Sequence, residues 1–362
     1  MRLNPGQFRP IFAFASIICF ALWVLLVHCA RQGTPSIGLA PRDDSSNISI
    51  MDAIYNETLG FTLPERTDKR DALSLSSALT GFKITWQDGV KGETIPDTAL
   101  PVGWNRKGGA KDTNLGSWRG HANAMRRIID DNLPSALIVE DDLYRFALAA
   151  RELQTEGSWL HEDPYLHKNN PNPVTQSPYG RHWDLLWLGS CQASFNADLP
   201  EDLSIPKDQQ DNRQVLIEND DTVPSQKHRS GNNRFEWDAY PNNTRIVYVQ
   251  GDHICTYAYA LTQLGARRAL EYMSLRGQHK NFDHHLSDLC HTMGNGMRCI
   301  GIVPSLFVHH RPRGLDIGYG TTVGAASPAF RETGSTNGIL YSTRLNLQRL
   351  LRSEKPEMQW DD

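Results

Sequence analysis

The alternation of apolar and polar positions changes period several times along the chain, and those changes divide it into strands and helices. The clearest strand is Ser135-Ala-Leu-Ile-Val-Glu140, a continuous apolar run with β-branched residues that predicts a strand buried on both faces. It runs directly into three consecutive acids, Glu140, Asp141 and Asp142, after which 143–153 has helical spacing. His182-Trp-Asp-Leu-Leu-Trp-Leu-Gly189 and Arg245-Ile-Val-Tyr-Val-Gln250 give the same buried-strand signal. Residues 82–86 alternate and predict a further strand, and 300–308 predicts one interrupted at Pro304, which cannot donate to a ladder. Helical spacing marks 72–79, 262–273 and a segment starting near Asp283. Asn114-Leu-Gly-Ser-Trp-Arg-Gly-His121 opens another helix, to about residue 129, with Ser117 as its N-cap. Strands alternating with helices predict an α/β fold around a mostly parallel central sheet.

The stretches between these elements are polar. Residues 87–115 are rich in Gly, Pro, Lys and Asp and predict a loop; 157–182 and 192–245 predict long excursions. Beyond Gly314 the chain is rich in Gly and Ser, then charged, and 315–362 reads as a C-terminal tail.

At the other end, 11–30 is a continuous apolar segment long enough to cross a bilayer, preceded by Arg2 and Arg9 and followed by Arg31. That pattern predicts an uncleaved signal-anchor, with 1–10 cytoplasmic, 31–58 an extended lumenal stem and the body of the chain in the secretory lumen. Three sequons, at Asn47, Asn56 and Asn242, agree with a lumenal body as candidate glycosylation sites. Two of the six cysteines belong to the apolar segment; Cys191, Cys255, Cys290 and Cys299 remain, and four cysteines permit three pairings. The close spacing of Cys290 and Cys299 favours that bridge, while the pairing as a whole stays open.

Composition adds little. The 362 residues are 39% hydrophobic, enough for one large α/β domain or two modest ones, and the net charge of -4 argues against a nucleic-acid partner.

The acids after residue 139 carry the most chemistry. Side by side they repel, and a hard divalent cation would turn that repulsion into ligation at the place where α/β folds bind ligands. A solvated turn in which Asp142 caps the next helix accounts for them as well. Asp283 and Asp288 are candidates for a second acid; five residues apart on a helix they do not share a face, so at most one points into a site. Asp283 suits a general base and equally a helix cap. His284 and His285 are adjacent rather than four apart, a weak metal pattern, and His309-His310 reads better as surface histidines than as phosphate or metal ligands. Arg66, Lys69 and Arg70 suit a diphosphate or a solvated helix start. The GxxxxGK[ST], GxSxG and HExxH patterns are all absent from the sequence. Spacing alone leaves a nucleotide-sugar transferase and a metal-dependent hydrolase open.

Six blocks in order carry a resemblance: Leu63-Pro-Glu-Arg-Thr-Asp-Lys-Arg70, Gly116-Ser-Trp-Arg-Gly-His121, Ala136-Leu-Ile-Val-Glu-Asp-Asp142, Trp183-Asp-Leu-Leu-Trp-Leu-Gly189, Ala258-Tyr-Ala-Leu-Thr-Gln-Leu-Gly-Ala-Arg267 and Phe282-Asp-His-His-Leu-Ser-Asp288. Together they resemble the family 25 glycosyltransferases, which include bacterial lipooligosaccharide galactosyltransferases, collagen galactosyltransferase domains and a fungal branch of type II membrane proteins. The resemblance covers about 59–311. It implies a GT-A-like nucleotide-diphospho-sugar transferase domain over 59–314, a UDP-sugar donor (often UDP-galactose), a manganese ion, and a glycan or glycoprotein acceptor in the Golgi or endoplasmic reticulum. By that resemblance Glu140, Asp141 and Asp142 form the donor-and-metal motif, with Glu140 and Asp142 as metal ligands. Arg66 and Arg70 belong to the nucleotide side, Ser117 and His121 lie near the donor, and Asp283, with Asp288 as the second candidate, is the catalytic acid near the acceptor.

One departure matters. Only Leu59-Gly-Phe-Thr stands before Leu63, preceded by polar residues, where the family carries a longer apolar strand. The first strand is therefore expected to be short or missing and the nucleotide pocket impaired. A rival reading follows from it: a catalytically degenerate, membrane-tethered binding protein of the same fold.

Overall fold

The computed structural model describes residues 57–81, 83–140, 183–195, 214–229, 239–276, 280–292, 294–315 and 330–360. The apolar segment 11–30, the stem with Asn47 and Asn56, the acids Asp141 and Asp142 and the expected helix 143–153 lie outside them. Among the described residues no helix is long and apolar enough to cross a membrane.

The first strand is present. β1 (Glu57–Thr62) pairs in parallel with β2 (Ile84–Asp88) on one side and β3 (Ser135–Glu140) on the other. Six residues at roughly 3.3 Å each extend about 20 Å, a normal strand length. Its polar start is stabilised by tertiary contacts: the Glu57 carboxylate meets the Arg127 guanidinium at 3.0 Å, and Thr58 is buried. The expectation of a shortened or missing strand is corrected, because the residues that complete it are polar and carry no apolar signal.

Helix α1 (Thr67–Thr80) joins β1 to β2, and α2 (Asp112–Asp130) joins β2 to β3. Then come β4 (Leu185–Gly189), β5 (Gln192–Phe195), β6 (Gln214–Ile217), β7 (Arg245–Ile254), β8 (Ala258–Thr262), α3 (Gln263–Glu271), α4 (Phe282–His291) and β9 (Cys299–Val303). The strand order is β2-β1-β3-β8-β4-β9-β7-β5, with β6 on β7. β1, β2, β3, β4 and β9 point one way, while β7 and β8 run against them. The α/β architecture and the shared direction of these five strands match the expectation; β8, inserted between β3 and β4, makes the sheet mixed. The chain steps from β1 outward to β2 and then past β1 to β3. That reversal falls at the carboxyl ends of β1 and β3, the place where open α/β sheets bind ligands.

Alternate residues of the central strands feed two cores. Leu59, Ala136, Ile138, Leu185, Trp187, Tyr259 and Leu261 face α2, α3 and α4, whereas Leu137, Val139, Leu186, Leu188, Ala258 and Ala260 pack with Leu73 of α1, Leu306 and Phe307. Burying each large aliphatic contributes about 1.5–3 kcal/mol, so the β3 run anchors both layers. Helix α2 begins at Asp112, earlier than expected, and places Ser117 inside its second turn rather than at the N-cap. Helix α3 is capped by Thr262, whose hydroxyl accepts the Gly265 N–H at 3.0 Å. At the amino edge of the sheet the buried Asp184 carboxylate accepts from Arg268 at 2.7 Å and from the Arg298 amide at 2.9 Å. The Asp184 carbonyl also accepts the Thr262 N–H at 3.1 Å, which joins the start of β4 to the end of β8.

Residues 330–360, expected as tail, fold onto the same unit. β11 (Phe330–Arg331) pairs with β10 (Gly314–Leu315), and α5 (Leu347–Leu351) lies against α1. His310 is buried against this segment rather than at the surface, its Nδ1 2.8 Å from the Thr336 hydroxyl, which is 2.7 Å from that of Ser342. Trp360 stacks on His228 at 4.0 Å. Two disulfides cross-link the domain, Cys290–Cys299 and Cys191–Cys255.

Candidate active site

The carboxyl edge is built first from the β1 and β2 ends. The Thr62 carbonyl accepts the Gly89 N–H at 2.7 Å and the Arg70 guanidinium at 3.4 Å. Arg70 also pairs with Asp88 and lies over the Trp86 ring at 4.8 Å, so it stitches the two strand ends together. Arg66 sits at the N-cap position of α1 and meets Asp68 through two bonds of 2.9 and 2.8 Å. Those bonds hold the Asp68 carboxyl below its ordinary range against a smaller opposing push from burial. A helix N-terminus bearing arginines suits an anion, and here Asp68 and Asp88 balance the two guanidiniums.

The loop after β2 is ordered by Arg106, a residue with no sequence motif to announce it. Its guanidinium reaches the Gly92 carbonyl at 2.8 Å, the Ile95 carbonyl at 2.7 Å and Asp112 at 3.0 Å, and pairs with Asp97. The loop then packs on α2 because Gly116 has no Cβ, which would lie 2.4 Å from the Val90 oxygen. One turn on, a Cβ at Gly120 would lie 2.0 Å from the Phe61 ring. This close approach brings β1 against α2 and seats His121.

His121 is fully buried. Its ring stacks on Phe282 at 3.9 Å and its Nδ1 lies 2.9 Å from the Tyr259 hydroxyl, with Phe61 at 4.9 Å. Those contacts join α2, α4, β8 and β1 beneath the edge. The ring, expected near the donor, packs between these four elements with no exposed surface. Ser117 is half-buried on the preceding turn of α2.

Glu140 ends β3 directly opposite Phe61 of β1. Asp141 and Asp142 follow it outside the described residues, and among the described residues there is no group of three His, Cys, Asp or Glu side chains suited to a metal. On the other flank Val139 and Gly189 both pair with Ala258, the first residue of β8. Three residues before Ala258, the Cys255 N–H donates to Asp283 Oδ2 at 3.0 Å. This bond brings the start of α4 to the same edge. Tyr257, beside Ala258, carries His309 at 5.8 Å, so that histidine also reaches the edge.

Arg66, Arg70, Glu140 and Asp283 therefore gather at one end of the sheet. Asp288, one turn along α4 from His284 and on the same face as it, pairs with Lys280. Asn242 stands in an exposed turn before β7. Further along this edge Arg245 is buried against Asp220 at 2.6 Å and Thr222 at 2.9 Å, and its guanidinium also bonds the Pro304 carbonyl. That network pins the loop before β7 to the end of β9, a link invisible in the sequence because its partners are 25 and 59 residues apart.

No protein-family model matches the chain, and no curated protein matches it.

Proposed function

We propose that this chain is a glycosyltransferase that moves a hexose, galactose by the family resemblance, from a UDP-sugar to a hydroxyl of a glycan or glycoprotein. The observation that carries the reading is the placement of Glu140 at the end of β3, in register with Phe61, at the reversal point of the sheet. Three carboxylates in succession there are hard oxygen donors of the kind a divalent cation prefers. Glu140 and Asp142 would hold such an ion, which when bound supplies charge neutralisation at the departing diphosphate. Arg66 and Arg70, at the neighbouring β1 end, would meet the negative charge of the donor by giving up their contacts to Asp68 and Asp88. Asp283 reaches the edge from the opposite flank, on the acceptor side.

Two further observations support the reading. The binding-protein rival rested on a missing first strand, and β1 is paired on both sides. The two disulfides fit an oxidising compartment, in keeping with a type II membrane protein of the Golgi or endoplasmic reticulum whose 11–30 segment is the anchor. Calorimetry of the full-length chain with UDP tests the binding half of the proposal. Binding that requires manganese is expected, and no binding with or without the metal contradicts it.

A further inference from the structure

The bonding of Asp283 reassigns the proton chemistry at the acceptor side. Its Oδ2 accepts the Cys255 N–H at 3.0 Å, while Oδ1 accepts the His284 N–H at 2.9 Å and faces His284 Nδ1 at 3.1 Å. Both oxygens are thus engaged, and the side chain is 20% exposed against 47% for His284. The imidazole is therefore the more exposed member of the pair. Because a carboxylate only accepts, Nδ1 carries the proton in this contact, and in the neutral ring Nε2 keeps its lone pair.

The scaffold around the pair is constrained. Cys255 has φ of 65°, in the left-handed region that a non-glycine residue rarely adopts. It is held there by its disulfide to Cys191, and its carbonyl accepts the Trp187 indole N–H at 2.9 Å. The amide that orients Asp283 is therefore fixed to β4, whose Gly189 shares Ala258 with the acid-bearing β3.

We propose that His284, oriented by Asp283, is the general base that accepts the proton of the acceptor hydroxyl. This rests on the glycosyltransferase reading above. As the hydroxyl oxygen bonds to the anomeric carbon, its proton passes to His284 Nε2. The bond from that carbon to the donor's diphosphate oxygen breaks at the same time, and UDP leaves with the electron pair. The imidazolium then returns its proton to solvent. A single displacement of this kind inverts the anomeric configuration.

Electrostatics agree with the geometry. Burial pushes the Asp283 carboxyl up, but the bonds from His284 and the Cys255 amide outweigh it and hold it below its ordinary range, so it is a weak base. The hydrogen bond to Asp283 raises His284 above 6.5, with burial opposing; Asp288 adds to the rise and Lys280 lowers it.

The test uses the full-length chain with manganese and UDP-galactose, reading UDP release with water as acceptor. His284→Gln is expected to lower kcat by about 100-fold or more with the donor KM and UDP binding unchanged. Asp283→Asn is expected to move the acid limb of the kcat profile to lower pH, because it removes the anion that raises His284. Unchanged turnover in His284→Gln, or an unmoved limb in Asp283→Asn, overturns the assignment. Should His284→Gln fail to fold, an NMR titration of His284 in the wild type and in Asp283→Asn decides instead: a drop in its pKa supports the dyad, and an unchanged value overturns it. Released galactose of retained configuration also overturns the base role. A wild-type chain that releases no UDP from any donor overturns the transferase reading itself, an outcome distinct from one confined to the dyad variants.

Discussion

Phe61 and Glu140 stand opposite each other at the carboxyl ends of two adjacent parallel strands. The pairing sets the acid-bearing end of β3 beside the strand that leads into Arg66 and Arg70. In the proposed reading, this strand end is where a cation and a diphosphate would meet the arginines.

Asp142→Asn and Glu140→Gln are each expected to lower metal-dependent UDP release by at least the roughly 100-fold that losses in a metal's outer shell can reach. A melting temperature near that of the wild type would assign the loss to the site rather than to the fold. Turnover assayed across manganese concentrations checks this, and undiminished turnover would remove either residue from the metal role.

Gly120→Ala tests the seat of β1. The added Cβ would fall 2.0 Å from the Phe61 ring, and Phe61 cannot retreat without disturbing His121, 4.9 Å away. Overpacking of this kind costs about 1–3 kcal/mol. A lowered urea midpoint is expected, together with weaker UDP binding because the end of β1 shifts.

Much of the sheet was legible because its strands are buried on both faces. The apolar runs of β3 and β4 announce themselves, and the structure divides each between two cores. β1 was not legible, since Glu57 is stabilised by Arg127, 70 residues away, and polar residues give no strand signal. The C-terminal segment was misread for a related reason. Its polar residues bond one another: Gln359 donates to the Thr336 carbonyl at 2.9 Å, and Asn346 to the Glu357 carbonyl at 3.0 Å. Composition alone cannot tell such a network from a solvated tail. At the site, Asp283 was legible as a helix start, but its bond to Cys255, 28 residues earlier, and hence the prominence of His284, required the fold.

The Asp220–Arg245 pair is a stability element with a defined pH dependence. Burial pushes the Asp220 carboxyl up, but the Arg245 charge and the Thr222 hydrogen bonds outweigh it and keep it below its ordinary value. A depressed folded pKa contributes stability above the unfolded carboxyl pKa of about 3.9, and that stability is lost as pH falls through the folded value. Asp220→Ala, which strands a buried guanidinium, is expected to cost about 3–5 kcal/mol at neutral pH. Urea denaturation from pH 7 to pH 3 checks both points; the gap between wild type and variant should narrow at the acid end.

His253 acts at higher pH. Burial lowers its pKa to about 3, and its Nε2 lies 2.9 Å from the Tyr248 hydroxyl, whose own pKa burial raises. The ring is thus neutral when folded and protonates on unfolding below about pH 6.5. Its contribution is present above that pH and falls by about 1.4 kcal/mol per pH unit toward the folded value. His284 has the opposite sign, its raised pKa adding stability that is lost as pH rises through the folded value. Comparing wild type with His253→Gln isolates the first effect: the variant should show a shallower loss of stability between pH 6.5 and 4, and an identical slope would refute it.

The account as a whole turns on donor turnover. The full-length chain should be incubated with manganese and a panel of UDP-sugars, and released UDP measured. Release from one UDP-hexose, abolished by chelation and by Asp142→Asn, is the predicted result. No release from any donor by a folded chain would contradict it.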